Sequence, residues 1–402
     1  MKVALHGDLP ALRRELDRAE RAGELDRGSV VELADAVARR ELSSAKGESG
    51  ARRVRQLRAC TSSLTEALGE RAREKDEVAA EAVLALLAQR RLDADALVDS
   101  HQHAEDGAWR TVAARAATSK RDVARRREWF VDPDQRVRRA AFEAAFERPD
   151  AGDLPVALEA VRLDPDPLVQ SLAARVAGVI GGGEAVLGLR DRFERADEQG
   201  QLAIIEAWSL PNAFRAGGER QLRRVLERDR GIAAIAAARA LLHHGQRDTA
   251  VVGVFERAIR HGSDAERGLA VGLAPLTAPG MVEALLAGTR DPEPSVAAVA
   301  LERLTSLPKQ RDKAFRELRT RARVRGRAGD EARAALSRLG DRTVVGELVK
   351  DVKSADAWRR QAAALELYDL GEPAKAARAL ADSDPGVRTT VACGVLSRQS
   401  SS

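Results

Sequence analysis

Aromatic side chains are scarce in this chain: Phe, Trp and Tyr make up 3% of its 402 residues, with a single tyrosine. A large globular core normally leans on such rings, because each buries a large apolar area. Their scarcity argues against that architecture and for many thin helices packed closely through alanine and leucine. Cysteine is nearly absent too. Cys60 and Cys393 lie at opposite ends of the sequence, in no CxxC spacing and in no Cys/His cluster, so neither a disulfide framework nor a zinc site is indicated. Alternating β-branched runs bounded by turns are missing, which speaks against a sheet. No apolar run approaches the roughly 18 residues that span a bilayer. The opening Met1–Asp8 turns polar too early for the apolar core of a signal peptide. The expectation is a cytoplasmic protein without membrane insertion.

An excess of one charge is also lacking. The 67 basic residues nearly balance 62 acidic ones, for a net charge of +5. A nucleic-acid module ordinarily carries a denser basic excess. Most of the bases are arginine, which a GC-rich genome produces with no functional meaning. A hydrophobic content of 44% excludes wholesale disorder.

What is present is an internal repeat. Asp132-Pro133-Asp134, Asp164-Pro165-Asp166, Asp291-Pro292-Glu293 and Asp382-Ser383-Asp384 each place a valine five residues after the first aspartate: Val137, Val169, Val296 and Val387. Aspartate caps helix N-termini and proline is tolerated in the first turn, so each copy reads as a helix start with the valine as its first buried residue. Degenerate copies begin at Asp197, Asp229, Asp264, Asp330 and Ala355, and further ones at Asp76 and Asp106. Successive starts from Asp132 to Asp229 recur at about the length of one helix–turn–helix unit. Leu154, Ala157, Leu158 and Val161 mark a first helix at helical spacing, and Gly178, Gly181 and Gly245 read as C-caps of second helices.

These residues resemble the HEAT-repeat family, including its bacterial PBS-lyase HEAT-like variety, whose second helix opens with Asp and then a Val-Arg pair. Asp132, Val137 and Arg138 match that pattern, as do Asp382, Val387 and Arg388; Gln170 and Ala297 replace the arginine in the other two copies. The resemblance covers roughly residues 75–398. It implies an all-α, right-handed α-solenoid of stacked two-helix repeats, with an Asp–Arg ladder between neighbours that Gln170 and Ala297 would interrupt. Such repeats serve scaffolds, transport receptors, lyases and repair enzymes alike, so the likeness carries fold and little function.

Residues 1–74 fit the repeat less well. Leu9–Ala22, Ser29–Leu42 and Ala51–Leu68 read as amphipathic helices, with a flexible loop at residues 43–50. They form either degenerate repeats or a separate helical cap. Residues 399–402 read as a frayed tail, and Pro211–Gly218 as an irregular joint.

No catalytic motif emerges. GxSxG and HExxH are absent, and Gly181-Gly182-Gly183 is not followed by Lys-Ser/Thr. His101 and His103 point apart on a helix and suit a metal only from a loop. No metal, cofactor or catalytic residue is expected. The leading expectation is a non-catalytic scaffold or adaptor that binds another protein on a concave face lined by second helices, with Arg138, Arg139, Arg359, Arg360 and Arg388 as contributors. The densest basic stretch, Lys309–Arg327, ends in Arg321, Arg323, Arg325 and Arg327. It suits a solvated helix terminus, an acidic protein surface or phosphate oxygens. A second cluster, Lys120-Arg121 and Arg125–Arg127, precedes Trp129-Phe130, which read as inter-repeat core. Trp109 and Trp358 occupy matching repeat positions and also read as core. The alternatives are nucleic-acid binding in a groove like that of the HEAT-like DNA glycosylases, and a lyase-type accessory acting on a tetrapyrrole.

Overall fold

The computed structural model describes residues 8–57, 60, 64–74 and 76–399, and helices are the regular elements among them. The fold is all-α, built of stacked helix pairs, and it divides into two compact units: Met1–Leu92 with Arg311–Ser402, and Asp93–Gln310.

In the Asp93–Gln310 unit the second helices form one row. Gly107–Ala116 packs on Gln135–Glu147, then follow Pro167–Ile180, Glu198–Ser209, Ile232–His243, Asp264–Leu273 and Pro294–Leu304, each against its predecessor. Alanine makes this possible: Ala140, Ala141, Ala144 and Ala145 on one helix are all buried, as are Ala173, Ala174 and Ala177 on the next. Gly178 takes the same logic further. It sits inside the Pro167–Ile180 helix and is no cap, because a Cβ there would lie 2.5 Å from the carbonyl oxygen of Ala207 on the following helix. Trp129 and Phe130 are buried, Phe130 stacking on Phe142 at 4.3 Å. The irregular joint is a π-turn, Phe214–Gly218, which holds Gly217 at φ 119°.

The repeat starts have a division of labour that the sequence pattern compresses. Val137, Val169, Val296 and Val387 are all buried. The helix cap, however, is the second acid of each copy and not the first. Asp134, Asp166 and Glu293 accept N–H bonds from Arg136, Leu168 and Ser295, and Asp384 accepts one from Gly386. The first aspartate, Asp132, Asp164, Asp291 or Asp382, accepts the backbone N–H of that second acid in a tight turn. Its carboxylate thereby faces the preceding repeat.

In the other unit the row runs from Arg327–Arg338 to Ala357–Asp369 to Pro385–Gln399, and then onto the beginning of the chain. Pro385–Gln399 packs against Arg27–Ser43 and Gly47–Leu57, and the latter packs against Glu77–Ala88. The helix ends of a repeat stack present apolar faces that need covering; here the two chain ends cover one another. Leu9–Ala22 forms as the sequence indicates, whereas the polar stretch at 43–50 is mostly helix: Gly47–Leu57 begins inside it. Of the expected tail, Gln399 closes the last helix and residues 400–402 lie outside the described residues. No helix among the described residues is long and apolar enough to cross a membrane.

Candidate functional site

The arginines nominated by the repeat pattern sit in the ladder between repeats. Arg138, 8% exposed, donates through Nε and Nη2 to both carboxylate oxygens of Asp164 at 2.8 and 3.0 Å, and through Nη1 to the carbonyls of Asp132 and Pro133. Arg360 repeats this with Asp382 and the carbonyls of Ser354 and Ala355, and Arg110 with Asp132 and the carbonyls of Ala104 and Glu105. Arg267 bridges to Asp291 in the same way. Each guanidinium thus ties its own helix start to that of the next repeat with charge-assisted, bidentate bonds. Gln170 keeps the local half of the arrangement, donating to the Asp164 carbonyl at 2.6 Å, but has no charge to carry onward. Arg139 pairs with Asp166, and Arg359 with Asp330.

The last rung crosses between the chain ends. Arg388 donates to Glu41 at 2.7 Å while keeping the carbonyls of Asp382 and Ser383. Glu41 is 2% exposed and also holds Arg53. Arg378 reaches Glu20, and Arg13 donates to the Ala381 carbonyl across the same seam.

The basic stretch divides. Its helix ends at Ala322 as read, Arg321 pairs with Glu317 along the helix, and Arg327 lies 4.0 Å from Glu331. Arg323 and Arg325 are exposed on the turn that follows, beside Val324, itself 52% exposed. In the second cluster, Arg121 and Arg125 hold Asp99, while Arg126 and Asp153 form a fully buried ion pair. His101 stacks on Trp109 at 4.6 Å, and burial lowers its pKa. No group of three His, Cys, Asp or Glu among the described residues is placed to hold a metal.

Trp358 departs from the core reading. Its counterpart Trp109 is half-buried against the His101 ring, but the first helix of the Trp358 repeat, Val345–Asp351, offers no ring, and Trp358 is left 63% exposed. It stands at a cleft of about 210 Å³ lined by Arg327, Asp330, Arg333, Leu348, Asp351 and Glu366, among others. Most charges there are matched within the wall. Arg333 holds Asp330 and lies 2.8 Å from Asp351, and Arg359 holds Asp330 as well. Glu366 is the exception: no base among the described residues lies within ion-pair distance of it. Burial raises its pKa from 4.5 to about 7; Arg338 and Arg333 pull it down, and Asp351 and Asp369 push it up.

A carboxyl so raised destabilises the folded state once ionised. The cost is absent below pH 4.5, grows as pH rises toward 7 and is complete above it. Glu366→Gln is therefore expected to stabilise the protein by about 3 kcal/mol at pH 8 and to change little at pH 4.5. Urea unfolding at the two pH values reads this; an equal effect at both would place the Glu366 proton elsewhere.

No family model matches this chain. No curated protein matches it either. The likeness to HEAT repeats stands as an all-α, helical-repeat architecture and does not extend to a particular family.

Proposed function

We propose that this protein is a non-catalytic repeat scaffold that docks a partner protein, and that the cleft beside Trp358 receives a lysine or arginine side chain of that partner. The observation that carries this reading is an exposed indole that shares one cleft with a half-buried carboxyl, about two turns further along the same helix, which lacks an ion-pair partner among the described residues. An indole face attracts a cation and a nearby carboxylate supplies its counter-charge. Tryptophan is also enriched among the residues that carry binding energy at protein interfaces. The site lies on a second helix, Ala357–Asp369, which fits second helices lining the binding face.

Titration with short lysine- and arginine-containing peptides tests it, read by isothermal titration calorimetry. Saturable binding that Trp358→Ala and Glu366→Gln each abolish is expected; binding unchanged in both variants sinks the reading. The turn bearing Arg323 and Arg325, exposed and with no carboxylate in hydrogen-bond reach among the described residues, favours a second reading as a contact for phosphate oxygens. Steeply salt-dependent binding of DNA or RNA, lost on Arg323→Ala with Arg325→Ala, would support that alternative.

A further inference from the structure

The only two cysteines of the chain, far apart in sequence, meet at the seam between the chain ends. Cys60 lies just beyond the Gly47–Leu57 helix, and Cys393 lies on Pro385–Gln399, which packs against that helix. Their sulfurs approach carbonyls of consecutive residues. The Cys60 thiol donates to Leu57 at 3.1 Å, and the Cys393 thiol donates to Gln56 at 3.5 Å. The two thiols lie close enough to perturb one another. Both side chains are buried, Cys60 at 2% and Cys393 at 8% exposure.

We infer that Cys60 and Cys393 form a dithiol site that a disulfide-bearing oxidant of the glutathione class converts to an intramolecular disulfide, covalently stapling the two ends of the chain. The geometry sets both sulfurs against the carbonyls of consecutive residues, with the Cys393 helix already packed on Gly47–Leu57. The neighbouring Cys60 thiol holds Cys393 below its ordinary range, while Cys393 and burial together raise Cys60. Cys393 is accordingly the thiol that gives up its proton and attacks. Its thiolate displaces one glutathione thiolate from glutathione disulfide, leaving a Cys393–glutathione mixed disulfide. Cys60 then loses its proton, attacks the Cys393 sulfur and releases the second glutathione. Two thiols are oxidised, one glutathione disulfide is reduced to two glutathiones, and two protons pass to the glutathione thiolates. Because the bridge closes nearly the whole chain into a loop, it restricts the unfolded state far more than the folded one.

The experiment uses the full chain, reduced, freed of reductant and exposed to glutathione disulfide. Expected are an intact mass lowered by two hydrogens, a cross-linked peptide containing Cys60 and Cys393, faster migration on a non-reducing denaturing gel and a higher melting temperature, all reversed by dithiothreitol. Cys393→Ser, whose melting temperature in reductant checks that it folds, is expected to show none of these responses to the oxidant. Two results would overturn the inference: both thiols still alkylatable in denaturant after oxidation, or stable glutathione adducts without a bridge.

Discussion

Replacing Arg138 by alanine is expected to lower the free energy of unfolding by about 3–5 kcal/mol, the cost of removing one partner from a buried ion pair. Three consequences add. Asp164, 9% exposed, keeps its charge and loses both guanidinium bonds; the carbonyls of Asp132 and Pro133 lose their donor; and the helix starts of neighbouring repeats lose their tie. Arg323→Ala, on an exposed turn, is the control and should stay within about 0.5 kcal/mol. Urea unfolding with unchanged slope measures both. Replacing Arg138 and Asp164 together by leucine should recover only the part due to the orphaned charge, since the Asp166 N–H and the Asp132 and Pro133 carbonyls still lose their partners. A loss below about 1 kcal/mol for Arg138→Ala would equate this rung with an exposed salt bridge. Charge reversal at these arginines is then a test of stability before it is a test of partner binding.

Binding of a lysine peptide in the Trp358 cleft is expected to weaken about tenfold as pH falls from 8 to 6, because Glu366 then passes from mostly ionised to mostly protonated. The groups that set this titration are few. Arg338 and Arg333 face Glu366 from the Arg327–Arg338 helix, Asp351 from Val345–Asp351, and Asp369 from its own helix. Cation binding favours the ionised carboxyl, so protons leave as the peptide binds. Glu366→Gln and Trp358→Ala each remove the affinity, and its pH dependence with it. A wild-type affinity flat from pH 6 to 8 would take Glu366 out of the site. The stabilisation expected of Glu366→Gln at pH 8 adds a consequence: a residue that weakens the fold when ionised gains a counter-charge only when the partner arrives.

Much of this architecture is legible because it is local. The aspartates that open Asp132, Asp164, Asp291 and Asp382 repeats, the valines five residues on and the Leu9–Ala22 helix follow from spacings within one or two turns, where capping and helical periodicity act. Which of two neighbouring acids caps the helix is less legible, since Asp132 and Asp134 are the same residue type two positions apart, and only their hydrogen bonds separate a cap from a rung. The breaks at Gln170 and Ala297 could be read directly, because the missing charge is a property of the residue itself.

Sequence alone determined an all-α repeat of alanine-packed helices, the positions of its strongest helix starts and the absence of recognisable catalytic motifs. Tertiary structure decided which arginines are bound within the fold, that Trp358 is exposed where Trp109 is covered by His101, and that Glu366 faces a cleft. It also decided that Arg388 meets Glu41 and that Cys393 meets Cys60. The reason is range. Arg388 and Glu41 stand 347 positions apart, so no periodicity or local preference links them, and only the packing of helices from the two chain ends brings their charges together.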